Sequence, residues 1–270
     1  MKASLTFLVE NRVNKAPYGA IGRHGLSVLL EVEDGFNLLY DVGSSFDVLL
    51  HNAFLLGKDL RSVDMIVISH GHYDHANDLV PILRFIGKKE IPLVIHPLAF
   101  DRKSPIRMNS AKDDLINMGA KLLEKESPFL LREGIWFSGT IPRVGDNPVH
   151  PVRDSRGRIV DEVPDDTSLY IEGKEGVIVL SGCGHSGVIN IVEHAKKVLG
   201  MSKVHALIGG FHGVGQPEES IEKTVGYLSR EEIDILAPCH CSGPLIYRLS
   251  GFKGFVDAKV GTSLSFELRF

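Results

Sequence analysis

Residues 65–75 read Met65-Ile66-Val67-Ile68-Ser69-His70-Gly71-His72-Tyr73-Asp74-His75. The first five form an apolar run of strand length, the pattern of a fully buried core strand. The last six place four metal-competent side chains where that strand must end. Three imidazoles and a carboxylate packed so closely compete for protons and water unless a positive charge holds them. A divalent cation does so, because neutral imidazole nitrogen and carboxylate oxygen are its ordinary ligands. The carboxyl end of a core strand is also where α/β proteins commonly keep their chemistry. The stretch therefore predicts an α/β fold with a metal site, and a polar turn that is merely rich in His is the weaker reading.

The same grammar recurs downstream. Val177–Leu180 runs into Ser181-Gly182-Cys183-Gly184-His185-Ser186-Gly187, Val204–Ile208 into Gly209-Gly210-Phe211-His212, and Ile233–Ala237 into Pro238-Cys239-His240-Cys241. A lone His at a strand end is usually a surface or capping residue. Four strand ends doing the same thing favour convergence. One turn cannot complete the coordination of two ions, so His185, His212 and His240 are the candidate partners.

Other elements read in order. Ser4–Val9, Leu26–Val32 and Phe36–Tyr40 are expected strands, followed by the turn Asp41-Val42-Gly43 and a helix over Phe46–Leu56. A helix is expected over Asn77–Phe85, a strand over Leu93–His96 and a helix over Ala111–Met118. A second half begins near Leu122, with strands Gly134–Ser138, Ser168–Glu172 and Val177–Leu180 and helices Ile189–Leu199 and Glu218–Ser229. Both halves run strands first and then strand–helix pairs, so one domain over 1–270 with halves 1–121 and 122–270 is expected. Pro142 to Pro164 shows no periodicity and reads as a long functional or disordered loop.

Composition narrows the function. The 270 residues are 43% hydrophobic and 24% charged, with net charge -4. That balance gives no broad attraction to nucleic acid or to an anionic membrane. No apolar run approaches the ~20 residues of a membrane span. The first nine residues are too short for an export signal and read as a strand, so a cytoplasmic location is expected. Three cysteines, Cys183, Cys239 and Cys241, suit a reducing compartment better than a disulfide framework.

The run Ser69-His70-Gly71-His72-Tyr73-Asp74-His75 resembles the H-x-H-x-D-H signature of the metallo-β-lactamase superfamily, and Asp41-Val42-Gly43 resembles its early Asp-x-Gly. The resemblance runs from about Ser4 to Cys241. It implies an αβ/βα sandwich of two packed mixed sheets and a site for two divalent metals, zinc by preference, with manganese or iron as alternatives. His24-Gly25-Leu26-Ser27, Asp166-Thr167-Ser168-Leu169, Gly182–Gly187 and Gly209–His212 are together similar to one subgroup. That subgroup is named for the archaeal dihydropterin ribofuranosyl-aminobenzene phosphate synthase.

Geometry and resemblance together allot His70, His72 and His185 to one ion and Asp74, His75 and His240 to the other. Asp74 and His212 are the candidate catalytic groups, with His212 facing substrate or leaving group. The superfamily's usual His before a strand stands here as Asp165-Asp166-Thr167, and its usual bridging Asp as Cys183. Asp166 is thus a candidate ligand or supporting residue. Cys183 is either a thiolate ligand, which favours a softer metal, or a small buried residue in a tight turn. Cys239 and Cys241 flank His240 and by strand alternation read as packing residues. Asp41 either orients a ligand imidazole or caps the helix that follows. Arg143, the best placed of the loop arginines, and His24 are candidate substrate contacts.

The function expected is metal-dependent hydrolysis or condensation on a small phosphorylated or acyl substrate. If the subgroup's reaction applies, the metal activates a pterin carbon for attack by an arylamine ribofuranosyl phosphate. The competing reading is a non-catalytic member of the same fold that binds a metal and a metabolite and signals to a partner. Di-iron oxygen reductases of the superfamily carry Glu at the position of His72, which argues against redox work.

Overall fold

The computed structural model of the protein describes residues 1–102 and 104–270. They divide into two compact units, Met1–Lys125 with Lys259–Phe266 and Glu126–Ala258 with Glu267–Phe270. The α/β class is as expected: each unit is built on one mixed sheet packed with helices.

The first unit contains strands β1 (Lys2–Val9), β2 (Ser27–Val32), β3 (Asn37–Tyr40), β4 (Met65–Val67), β5 (Ile91–Ile95) and β6 (Ala120–Glu124). A strand from the end of the chain, Ser263–Glu267, completes a seven-stranded sheet ordered Ser263–Glu267, β1, β2, β3, β4, β5, β6. β1, β2 and β3 pair antiparallel, whereas β3 through β6 run parallel. The helices are α1 (Phe46–Leu55), the single turn α2 (Tyr73–Ala76), α3 (Leu79–Ile86) and α4 (Lys112–Asn117). Alternate strand residues Leu29, Leu39, Ile66 and Leu93 pack with Leu49 of α1, Ile82 and Leu83 of α3 and Leu115 of α4. Their neighbours Leu30, Leu38, Val67 and Val94 are buried as well. Strands apolar on both sides are what a largely parallel sheet requires.

The helix expected over Asn77–Phe85 is α3, which starts two residues later at Leu79 and is broken off from the turn α2. The break falls at Asp78, whose carboxylate accepts the Phe46 amide and so caps α1 rather than its own helix. Gly87, at φ 67°, closes α3 in the left-handed conformation that Gly adopts freely.

The second unit contains β7 (Phe129–Arg132), β8 (Ile135–Phe137), a two-strand hairpin of β9 (Val152–Arg153) and β10 (Ile159–Asp161), then β11 (Ser168–Gly173), β12 (Gly176–Ser181), β13 (Val204–Gly210) and β14 (Ile235–Cys239). Its six-stranded sheet is ordered β14, β13, β12, β11, β8, β7, parallel from β12 to β14 and antiparallel elsewhere. Helices α5 (Val188–Leu199), α6 (Glu218–Leu228) and α7 (Pro244–Leu249) join its core. Val188, Ile191, Val192 and Ala195 of α5 lie in one cluster with Val179, Leu207 and Leu236. The stretch 142–164 is not structureless. Asp154 accepts the backbone amides of Arg156 and Arg158, making the turn that closes the β9–β10 hairpin.

Because the α3 face supplies much of the first unit's core, Leu83→Ala should cost about 2–5 kcal/mol. A urea midpoint that falls without a change in slope would register it.

Candidate metal centre

In the first unit the chemistry gathers at the carboxyl ends of the parallel strands β3 and β4. Asp41, directly after β3, holds φ at 57°, a left-handed backbone uncommon for any residue with a Cβ. In that conformation its fully buried carboxylate turns back over β4. Oδ1 accepts the Ser69 amide at 2.7 Å, and Oδ2 accepts the Ser69 hydroxyl at 2.8 Å and His75 Nδ1 at 2.7 Å. Asp41 therefore does not cap α1, a task that falls to Ser45 and Asp78.

This network fixes imidazole tautomers. His75 gives its Nδ1 proton to Asp41, so a neutral ring leaves Nε2 as the bare nitrogen. The Ser69 hydroxyl gives its proton to Asp41, the stronger acceptor, and accepts from His70 Nδ1 at 2.9 Å. His70 Nε2 is then bare too, and it stands 3.0 Å from His72 Nδ1. His75 Nε2 faces Asp74 Oδ2 at 3.6 Å. A nitrogen lone pair facing a carboxylate oxygen is repulsive unless a cation or a further proton lies beside both. The donor set thus fits a divalent metal on the chemistry of its own hydrogen bonds. His70, His72, Asp74 and His75 are all buried. Gly71, between the two histidines, makes room for this packing, because a Cβ there would lie 2.1 Å from the Ala99 carbonyl oxygen.

His24 belongs to the same group. Its Nε2 lies 3.1 Å from Asp74 Oδ2, and its side chain is 55% exposed, so it links the buried carboxylate to solvent. His96 follows the neighbouring β5 yet takes another role: its Nδ1 accepts the Leu98 amide as the cap of a short helical turn.

In the second unit, Cys183 and His185 follow β12, His212 follows β13 and His240 follows β14. His212 and His240 hold φ at 43° and 53°. Non-glycine residues in this region carry strain and collect at functional sites. Ser242 ties two of these strand ends together, accepting the Phe211 amide at 3.0 Å and donating to the Cys239 carbonyl at 2.6 Å. His185 Nδ1 donates to the His150 carbonyl at 2.6 Å, which leaves Nε2 unprotonated in a neutral ring, and the His212 ring sits 4.1 Å away. Asp166 Oδ2 accepts the Ser186 amide at 2.7 Å, while its buried Oδ1 has no hydrogen-bond partner. Burial pushes the Asp166 carboxyl up to about 6, against the hydrogen bonds from Ser186.

Three residues in the two units escape a reading by motif. Ser69 mediates between Asp41 and both His70 and His75. His150, from the Pro-rich loop, stacks 5.5 Å from His212, and its Nδ1 is buried without a hydrogen-bond partner. Burial, followed by the nearby charge of His212, pushes His150 down to about 4. Cys241 corrects the expectation of a packing residue. The chain leaves β14 at Cys239 and enters a tight helical turn, so strand alternation no longer governs position 241. Its thiol lies against Cys183, His240 and His212. Burial resists ionisation of this thiol, yet a hydrogen bond with Cys183 and the two imidazoles hold it well below the usual thiol range. Arg143 grips the loop instead of standing open, donating to the Glu162 and Val163 carbonyls at 2.7 Å each.

Comparison with known proteins identifies the class. The family model described as "Metallo-beta-lactamase superfamily" matches residues 20–240. The chain belongs to that superfamily and is a metal-dependent enzyme of it. It is 31% identical to the 7,8-dihydropterin-6-methyl-4-(β-D-ribofuranosyl)-aminobenzene-5'-phosphate synthase of Methanocaldococcus jannaschii, over 82% of this chain and 81% of the relative. It is also 31% identical to an uncharacterised protein of that archaeon, over 95% and 98%. Among solved structures it resembles Tm1679, a metal-dependent hydrolase of the β-lactamase superfamily, with a TM-score of 0.78 and 25% identity over 97% and 98% of the chains. Zinc-bound PqqB from Methylobacterium extorquens shares the fold at a TM-score of 0.59 and 15% identity, over 97% and 99%.

Because Asp41 sets the imidazoles of the first unit, Asp41→Asn and Ser69→Ala should each weaken metal binding by about 10–100-fold. His96→Ala, at a strand end whose imidazole caps a helical turn, should leave affinity unchanged. Competition against a chromophoric chelator measures all three.

Proposed function

We propose that the protein is a two-metal enzyme acting on a small phosphorylated or acyl substrate, with His70, His72, Asp74 and His75 as ligands from the first unit and His185 and His240 from the second. The observation that carries this reading is the Asp41–Ser69 network, which in neutral rings leaves the Nε2 atoms of His70 and His75 unprotonated. Such orientation serves metal ligation. Zinc suits the nitrogen-rich set best, with manganese or iron as alternatives.

When bound, the cations polarise a carbonyl or phosphoryl oxygen and make water acidic near neutral pH. The chain's own residues supply the remaining work. Asp74 is the carboxylate placed to accept a proton, with His24 3.1 Å away to lead it toward solvent. His212, half-buried between His185 and His150, is the imidazole for the substrate or leaving group. Asp166 supports the turn that bears His185 through the Ser186 amide. Arg143 adds positive charge beside Asp166 and His150, and with His24 is the candidate contact for an anionic group on the substrate.

Hydrolysis is the first form of this chemistry, supported by the likeness to Tm1679. A second form, condensation on a reduced pterin, is supported by the curated archaeal synthase at 31% identity. Location in the cytoplasm and a single functional domain over 1–270 complete the proposal.

The test takes protein stripped by chelation and reloaded with zinc or manganese. It is assayed on phosphomonoester, phosphodiester and lactone substrates, and on a dihydropterin with an arylamine ribofuranosyl phosphate. Turnover should vanish on stripping, return on reloading and fall about 10²–10⁴-fold in Asp74→Asn. Turnover that survives both chelation and His70→Ala would defeat the reading. Tight metabolite binding with no turnover on any substrate would favour the signalling alternative.

A further inference from the structure

We infer that Cys183 and Cys241, together with His240, form a two-thiolate metal-binding set in the second unit, so that one cation is held through sulfur. The inference rests on the metal dependence proposed above and adds Cys241, which neither motif nor comparison points to.

The ligand atoms of Cys183, His240 and Cys241 all lie within 4.8 Å of one another. A tetrahedral zinc with bonds of about 2.3 Å to sulfur and 2.0–2.1 Å to nitrogen needs ligand separations of roughly 3.3–3.8 Å. The three atoms therefore sit within a small adjustment of a coordination shell. Cys183 is common to a second group of the same kind with His185 and His212, which makes its sulfur the hinge of the cluster.

The backbone is arranged to bring the sulfurs together. The Cys241 thiol donates to the Cys183 carbonyl at 3.3 Å. Gly210 lies against both, and a Cβ there would fall 2.8 Å from Cys241 Sγ and 2.9 Å from Cys183 Cα. The strained φ of His240 immediately precedes Cys241, and the Ser242 hydroxyl clamps the turn that follows. Cys183, His240 and Cys241 are buried, and two thiols beside two imidazoles are more than packing demands of so small a space. Cys239 supplies the contrast, since it is fully buried in β14 and joins neither of these groups.

On binding, each thiol that joins the ion gives its proton to solvent as the sulfur–metal bond forms, with no change of oxidation state. Thiolate favours zinc, cobalt(II) or another borderline-to-soft ion over manganese or magnesium.

The 270-residue protein, stripped of metal and titrated with cobalt(II), provides the test. The expected result is a strong near-ultraviolet sulfur-to-cobalt charge-transfer band that saturates with the visible ligand-field bands. Cys183→Ser and Cys241→Ser should each weaken that band, the double variant should abolish it, and Cys239→Ser should leave it unchanged. Circular dichroism identifies any variant that fails to fold, and the unaltered protein is decisive without them. Ligand-field bands with no charge-transfer band would overturn the thiolate set while leaving the metal centre intact. No cobalt binding at all would overturn both.

Discussion

The candidate site depends on one buried carboxylate. Asp41 accepts a backbone amide, a hydroxyl and an imidazole N–H with its two oxygens, and no part of it reaches solvent. A carboxylate removed from water costs several kcal/mol unless its oxygens are satisfied, and here three donors meet them. The arrangement requires a left-handed backbone at position 41, which Asp tolerates better than most residues. Asp41 also secures the local backbone, its amide donating to Val67 and its carbonyl accepting the Ser27 hydroxyl. Removing this side chain would free the turn after β4 along with the tautomers of two histidines.

Strain is distributed in a way that supports the same conclusion. Five described residues other than glycine hold positive φ, and three of them are Asp41, His212 and His240. Each directly follows or nearly follows a parallel strand, where the chain must turn sharply while keeping its side chain aimed inward. Conformations that cost on the order of 1–3 kcal/mol persist only where the surroundings over-determine them. The Ser242 hydroxyl and the Asp41 carboxylate provide that determination in the two units.

Much of this was legible from the sequence because central strands are apolar throughout. β2, β3, β4, β11, β12 and β13 lie inside their sheets, and their runs of Val, Ile and Leu mark them. The strands that escaped reading are edges. β6, β7 and Ser263–Glu267 border their sheets, carry half-exposed or exposed residues and look like loop. An edge strand is partly solvated, so it has little need of an apolar pattern. The candidate functional residues of the two units divide likewise. His70, His72, Asp74 and His75 are close in sequence and advertise themselves. Ser69 and Cys241 carry common side chains whose role comes only from the turn that aims them, and His150 meets His185 across 35 positions.

The two units differ in the chemistry they offer a cation. The first presents imidazoles and carboxylates, with Asp41 fixing which nitrogen is bare. The second presents imidazoles and thiols, with His185 fixed by the His150 carbonyl rather than by a carboxylate. A carboxylate behind an imidazole raises its basicity more than a neutral carbonyl does, so the first set would bind a cation as the harder and more electron-rich donor. Thiolate in the second set would transfer more charge to an ion held there and lower that ion's Lewis acidity. On the proposed reading, a cation held by the first unit would be the one to activate substrate or water, beside Asp74 and its outlet through His24, while the sulfur-bearing set would serve to retain its metal.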